Sequence, residues 1–320
     1  MSKTILVTGA LGQIGSELVP ALRERYGKDA VIASDLRMLP MGASAGNGPF
    51  EHLDCTRIRP LQDILSRYQV GIIYHLAALL SAVAEDRPQV AWHLNMDGLY
   101  QVLEAARQNH CAVFFPSSIG AFGPTTPRDH APQDTVQRPT TMYGVTKVAA
   151  EMLCDYYFRR FAVDARGLRL PGLISHVAPA GGGTTDYAVE IFYQAIRYRH
   201  YTCFLRPDTR LEMMYMPDAV RAIIELMEAD STRLVHRNAF NITAMNFTPD
   251  ELAQEIRKHI PDFVIAYEVD PIRQTIADSW PRTIDDGAAR DEWGWTPRYT
   301  LETMTGNMLD KLRHRLRPAM

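Results

Sequence analysis

The sequence predicts a doubly wound α/β protein, a parallel sheet with helices on both faces, followed by a smaller second lobe. Three observations carry this prediction. In the first half, β-branched runs alternate with amphipathic stretches: strands over Thr4–Val7, Ala30–Ser34, Gly71–His75, Ala112–Pro116 and Val163–Arg169, helices over Ile14–Tyr26, Pro60–Tyr68, Gln89–Asn109 and Thr141–Phe161. Strands separated by helices pair in parallel through right-handed crossovers. Second, runs such as Ile5-Leu6-Val7 are apolar without alternation, as expected when helices cover both faces. Third, the rhythm changes after Pro171: a Gly/Thr-rich loop over Pro179–Thr185, a helix over Tyr187–Tyr198, the run Met213–Tyr215 and a helix from Asp218 to Ala229. Thr248-Pro-Asp-Glu supplies an N-cap, a first-position proline and first-turn acids for another helix, and a last one runs over Leu301–Leu316. Residues 1–172, rejoined by about 217–242, are expected to form the first domain, and 173–216 with 243–320 a partly discontinuous substrate lobe.

Composition narrows the function. Of 320 residues, 46% are hydrophobic and 22% charged, with a net charge of -3 and no basic stripe, which argues against nucleic acid or an acidic membrane surface as partner. Cys55, Cys111, Cys154 and Cys203 lie far apart with no C-x-x-C pair, the pattern of reduced thiols. Met1-Ser2-Lys3 runs straight into Ile5-Leu6-Val7 without an apolar stretch long enough for a signal peptide, and no apolar run approaches ~18 residues. A soluble, cytoplasmic protein is expected. Ten histidines include no H-E-x-x-H or comparable spacing, so no metal is expected.

Directly after the first strand comes Thr8-Gly9-Ala10-Leu11-Gly12-Gln13-Ile14-Gly15, a G-x-x-G-x-x-G loop that opens a helix. Gly9 allows the tight turn, Gly12 lets backbone approach a pyrophosphate, and Gly15 lets the helix sit close to the sheet. The helix N-terminus offers N–H groups and partial positive charge to phosphates. A glycine trio alone equally serves a structural turn; the strand before it, the helix after it and Asp35, twenty residues past Gly15, select a dinucleotide. A carboxylate there accepts from both ribose hydroxyls and repels a 2′-phosphate, favouring NAD over NADP, although Arg37 softens the preference. Asp54 is placed either to hydrogen-bond adenine or to cap the following helix.

Tyr143-Gly-Val-Thr-Lys147 sets a phenol and an ammonium at i and i+4, on one helix face. A free phenol with pKa near ~10 is a poor base at neutral pH, and a neighbouring cation favours its ionised form. Such pairs also occur on ordinary surface helices. Three features add weight: Ser117-Ser118 at the carboxyl end of the fifth strand, His75-Leu76-Ala77-Ala78 with small residues after the strand before it, and Asn95, which holds either a backbone near the lysine or a buried polar packing position.

In order and spacing these motifs resemble the extended short-chain dehydrogenase/reductases over essentially the whole chain. The resemblance implies a Rossmann-type fold and NAD, with Tyr143 as general acid/base, Lys147 on the nicotinamide ribose and Ser118 on the reacting oxygen. It extends the implied cofactor contacts to Gly9, Leu11, Gly12, Gln13, Ile14, Gly15, Asp35, Leu36, Arg37, Asp54, Cys55, Leu76, Ala77, Ala78, Asn95, Ser117 and Leu173.

Longer segments, among them Leu79–Val83, Pro116–Pro124, Arg138–Lys147, Gly181–Ala188, Met213–Asp218 and Arg273–Pro281, are similar to the short-chain-type L-threonine 3-dehydrogenases of that family. This implies a small zwitterionic substrate, L-threonine, oxidised at its Cβ hydroxyl with hydride passing to nicotinamide C4. Positioning so small a molecule requires short donors and a cover. Ser81, Thr184 and Thr185 supply hydroxyls and, through the preceding glycines, Gly183 among them, backbone N–H groups for a carboxylate, with Leu80 in the same substrate site and Trp280 closing the top; Gly181–Gly183 read equally as a flexible turn, and Trp280 as lobe core. The stripe Tyr187, Ile191, Tyr198 reads as helix core or an interface. By resemblance, Gln89–Asn109 and Thr141–Phe161 form the four-helix bundle of a homodimer. Two alternatives remain: a sugar-nucleotide epimerase or dehydratase, for which Arg206 and Arg273 are available to a diphosphate, and a non-catalytic NAD-sensing protein.

Overall fold

The computed structural model of the protein describes residues 4–39, 48–179 and 181–316. Met1–Lys3 and Ala180, on which part of the reading above drew, lie outside those residues. The strands are β1 (Thr4–Thr8), β2 (Val31–Asp35), β3 (Phe50–His52), β4 (Val70–His75), β5 (Ala112–Ser118), β6 (Ala165–Leu170), β7 (Gly172–Ile174), β8 (His200–Cys203), β9 (Leu211–Tyr215), β10 (Phe240–Asn241), β11 (Met245–Phe247) and β12 (Val264–Tyr267). The α-helices are α1 (Gly15–Tyr26), α2 (Ile58–Tyr68), α3 (Ser81–Asp86), α4 (Pro88–Trp92), α5 (Gly98–Asn109), α6 (Met142–Phe161), α7 (Tyr187–Tyr198), α8 (Met216–Glu228), α9 (Pro249–Arg257), α10 (Pro271–Asp278), α11 (Gly287–Trp293) and α12 (Leu301–Leu316).

Seven strands form one parallel sheet in the order β10-β6-β5-β4-β1-β2-β3. This is the predicted doubly wound Rossmann-type architecture. The unalternating strands divide their residues between two cores. Ile5 and Val7 point to the face covered by Leu18 and Leu22 of α1 and Ile223 of α8. Leu6 points to the opposite face, beneath Leu61 of α2 and Leu99 and Leu103 of α5. After β1 the chain winds outward to β3, then returns to β4 on the other side of β1. The switch point therefore falls between β1 and β4, whose ends pair as Thr8↔His75, and ligands of open α/β sheets bind beyond such a point.

Past β6, the three-stranded sheet β11-β9-β7 and the pair β12-β8 gather around a third core that includes Phe192, Leu205, Phe247, Leu252 and Met308. The expected N-terminus at Thr248 carries a full capping box with Glu251. Three corrections concern helices. Gln89–Asn109 is not one regular α-helix: a π turn at His93–Asp97 separates α4 from α5. The short α3, α10 and α11 also arise where no helix was expected. In the stripe on α7, Tyr187 and Ile191 are core, whereas Tyr198 is exposed.

Candidate active site

The glycine loop is locked by its neighbours. Gly9 has φ 70, and a Cβ there would stand 2.7 Å from the backbone nitrogen of Ala77. A Cβ on Gly15 would meet Ala10 at 2.6 Å. Both positions tolerate only glycine, and the first explains why small residues follow β4. Beside the loop, the Thr8 hydroxyl and His75 Nδ1 are hydrogen-bonded at 2.8 Å across the ends of β1 and β4. Burial drives the His75 pKa down to about 3, with Lys147 adding to the effect, so its imidazole is neutral. The Gln13 amide nitrogen is buried without a partner at the lip of the cleft. At the end of β2, Asp35 accepts from the Leu11 backbone at 3.0 Å and from the Arg37 backbone and guanidinium. A cradle that excludes a Cβ, an orphaned amide and a carboxylate at the end of β2 fit a dinucleotide. Asp54 Oδ1 accepts from the backbone and hydroxyl of Thr56 in a turn ahead of α2, whose N-terminus at Arg57 has no side-chain cap, so Asp54 does not cap that helix.

Helix α6 carries the expected pair, Tyr143 and Lys147. Thr141 caps it, accepting from the Gly144 backbone at 3.1 Å, so Tyr143 falls in the first turn and Lys147 in the second. A Cβ on Gly144 would lie 2.4 Å from the Gly120 carbonyl, which is how the helix approaches the turn after β5 so closely. Lys147 donates to the Pro116 carbonyl at 2.6 Å, and its Nζ stands 4.5 Å from the centre of the Phe115 ring and 5.3 Å from that of Tyr143. Burial lowers its pKa to about 8, opposed by Glu151 and Cys154. The Tyr143 phenol is pushed up to about 12 by desolvation, against a hydrogen bond from the neighbouring Ser118 that favours ionisation. Neither group is yet tuned for catalysis. A neighbouring cation favours an ionised phenol, and the Lys147 ammonium stands near this one.

One cleft at the β1/β4 switch point gathers most of the expected residues. Its lining includes Gly9, Gly12, Gln13, Ile14, Gly15, Leu76, Ala78, Leu80, Ser81, Ser117, Ser118, Tyr143, Lys147, Leu173, Gly183, Thr184, Thr185 and Trp280. Leu11, Asp35, Leu36, Arg37, Asp54, Cys55, Ala77 and Asn95 lie outside that lining. Asn95 works behind the cleft: it accepts from the Leu79 backbone at 2.8 Å and donates to the Thr146 hydroxyl at 3.2 Å, tying the loop after β4 to α6. The Thr184 hydroxyl is 1% exposed and has no partner, an unmet donor and acceptor in the wall. Trp280 is 6% exposed in the third core and also lines the cleft.

One expectation is corrected. The N–H groups of the glycine loop are not open to a substrate carboxylate, because Asp186 Oδ2 accepts from Gly181, Gly182 and Gly183 at 2.7, 2.6 and 2.7 Å. An Asp just after a glycine run is a known loop cap, a signal available in the sequence. Also missed was Glu151, which stands one turn past Lys147 and is buried against Arg169 and Ser117. Arg206 and Arg273 are engaged elsewhere, with Asp278 and over the Phe204 ring. Among the described residues, no cluster of three or more His, Cys, Asp or Glu is arranged for a metal ion.

A Rossmann sheet, a glycine cradle and a Tyr-Lys-Ser cluster at its switch point define a nicotinamide-dependent oxidoreductase. The chain belongs to the NAD dependent epimerase/dehydratase family, which its residues 5–243 match, and NAD is its cofactor. It is 54% identical over 311 residues to an uncharacterised epimerase/dehydratase of Staphylococcus haemolyticus, covering 97% of this chain and 98% of that one. Among solved structures it is similar to the L-threonine dehydrogenase of Clostridium difficile (TM-score 0.95, 54% identity, 98% of each chain). The GalE-like L-threonine dehydrogenase of Cupriavidus necator, holo form, gives a TM-score of 0.93 at 51% identity, over 97% of this chain and all of that one. The resemblance to an extended dehydrogenase near the threonine enzymes therefore holds. No helix among the described residues is long and apolar enough to cross a membrane.

Proposed function

We propose that the protein is an NAD-dependent L-threonine 3-dehydrogenase, oxidising the Cβ hydroxyl to give 2-amino-3-oxobutyrate in threonine catabolism. The observation that carries this reading is the chemistry of the cleft wall. With Tyr143 and Ser118 the cleft lining holds the short hydroxyl side chains of Ser81, Thr184 and Thr185 beside Leu80 and Trp280, and its charged members among the described residues are Lys147 and Asp186. A sugar nucleotide needs basic residues for its diphosphate; a small zwitterion does not. The similarity to threonine dehydrogenases over nearly the full chain supports the same choice.

In this reading Gly9, Gly12, Gln13 and Gly15 hold the pyrophosphate, Asp35 the adenosine ribose and Lys147 the nicotinamide ribose. Bound NAD supplies the hydride acceptor. Ser118 donates to the substrate oxygen and aligns it, while Tyr143 as phenolate removes the hydroxyl proton as the Cβ–H bond breaks. The oxygen's freed electron pair forms the carbonyl. Lys147 stabilises the phenolate, and Trp280 and Leu80 exclude water. Residues 173–216 and 243–320 act as the substrate lobe on a domain of 1–172 and 217–242. Trp92, Tyr100, Met152 and Tyr156 leave an exposed apolar face along α4, α5 and α6, which suits a homodimer. The four buried cysteines, none in a disulfide, suit the cytoplasm.

Purified protein with NAD and L-threonine should form NADH. Silence on threonine together with turnover of a UDP-sugar would overturn the reading in favour of the epimerase.

A further inference from the structure

The Lys147 ammonium is buried among groups that do little to compensate it. A carbonyl and two aromatic faces surround Nζ. The titratable groups that face it are Tyr143, Glu151 and Cys154 from α6 itself and His75 from β4, of which burial keeps the imidazole neutral. Burial also pushes the Cys154 thiol up, so that it remains uncharged. Glu151 is thus the negative charge available to Lys147.

Glu151 is 4% exposed and heavily held. Arg169 of β6 donates to its Oε1 at 3.1 Å and to its Oε2 at 2.9 Å, and Gln137 to Oε2 at 2.8 Å. The remaining guanidinium nitrogen of Arg169 reaches the Gln133 carbonyl and Asn241. Asp155 is the further charged neighbour. The Ser117 hydroxyl also donates to this carboxylate. Three residues of α6, at i, i+4 and i+8, therefore grip three successive residues of β5: Tyr143 at Ser118, Lys147 at Pro116, Glu151 at Ser117.

We propose that Glu151 is a positioning residue for proton transfer: its carboxylate, anchored by Arg169, keeps Lys147 protonated and fixes the strand end that presents Ser118 to Tyr143. The proposal rests on the general-base reading of Tyr143 given above. A buried ammonium without a counter-charge sheds its proton. With the negative charge removed, burial acts unopposed and Lys147 becomes neutral at lower pH. The phenolate then loses its cation, and Tyr143 ionises only at higher pH.

Two readouts test this. Glu151→Gln should move the rising limb of the kcat/KM–pH profile up by about one pH unit, the lower end of a neighbouring charge's effect, and lower the rate below that limb about tenfold. Glu151→Asp should bring the limb back, and Ser117→Ala, which leaves the charge, should not move it. Because Glu151→Gln leaves Arg169 buried and uncompensated, the double variant Glu151→Gln/Arg169→Met provides a second route to a folded protein, with the limb displaced in the same direction but by less, since a cation leaves with the anion. The second readout needs no turnover: the ultraviolet tyrosinate titration of the NAD complex, taken as the difference from Tyr143→Phe, should shift in the same direction. A folded variant that loses rate equally at every pH, with the titration unmoved, would reduce Glu151 to a structural role. If the titration shifts but threonine is never oxidised, the dehydrogenase reading fails while the assignment of Glu151 stands.

Discussion

The two walls of the cleft are built differently. On one side, Ser118 ends a central strand, and Tyr143 and Lys147 ride the first two turns of a capped helix, all braced by buried hydrogen bonds. On the other side, Gly183, Thr184 and Thr185 belong to a loop whose N–H groups are held by its own Asp186 rather than by the rest of the fold. Reacting groups need placement to a fraction of an ångström, which regular elements supply. A wall that must admit and release a small molecule instead exchanges internal hydrogen bonds for substrate ones. Damage to the first wall should therefore appear in kcat, and damage to the second in KM.

Three experiments sharpen or break this contrast. The largest effect is expected for Tyr143→Phe, which should reduce threonine-dependent NADH formation about 10³-fold, within the usual range for a positioned acid/base. NAD binding measured by calorimetry should persist. An unaltered rate would remove the rigid wall from the chemistry. Thr184→Val should raise KM for threonine about tenfold, as expected for one lost hydrogen bond in a dry site, while the melting temperature holds or rises. The hydroxyl has no partner to lose in the fold, so a fall in melting temperature with an unchanged KM would contradict its role in the wall. The smallest effect is expected for Asp186→Ala. Loss of the cap disorders the loop and should raise KM about threefold, a fraction of what unpaired donors cost in a buried site, with kcat nearly constant. A lower KM would instead mean that Asp186 competes with the substrate carboxylate for those N–H groups.

The same contrast governs what was legible from residues alone. The spacing of Tyr143 and Lys147, the glycine loop and Asp35 are local patterns, set by helix period and strand end, and they fall where the pattern put them. That Asp54 closes a turn with Thr56 instead of capping α2 depends on how its side chain turns, which no spacing encodes. The α10 helix did announce itself, since Asp270 and Pro271 form a cap and first turn like those at Thr248 and Pro249, but its eight residues show too little periodicity to stand out. Glu151 looked like one more helix carboxylate. Its partners Ser117 and Arg169 lie on β5 and β6, brought together by strand pairing rather than by sequence distance.

The π turn at His93–Asp97 has a consequence for how relatives are aligned and how the chain is engineered. A π turn holds one residue more than the α turn it replaces. Deleting a single residue between 93 and 97 would convert the π turn into an α turn and leave α4 and α5 close to their present phase. The shift would fall inside the turn itself, where Asn95 would lose its register with Leu79 and Thr146, and the loop leading to Ser81 would lose its tether to α6. A one-residue gap at this point is therefore not a neutral change in length. It marks whether the helix carries the register that holds the two walls together.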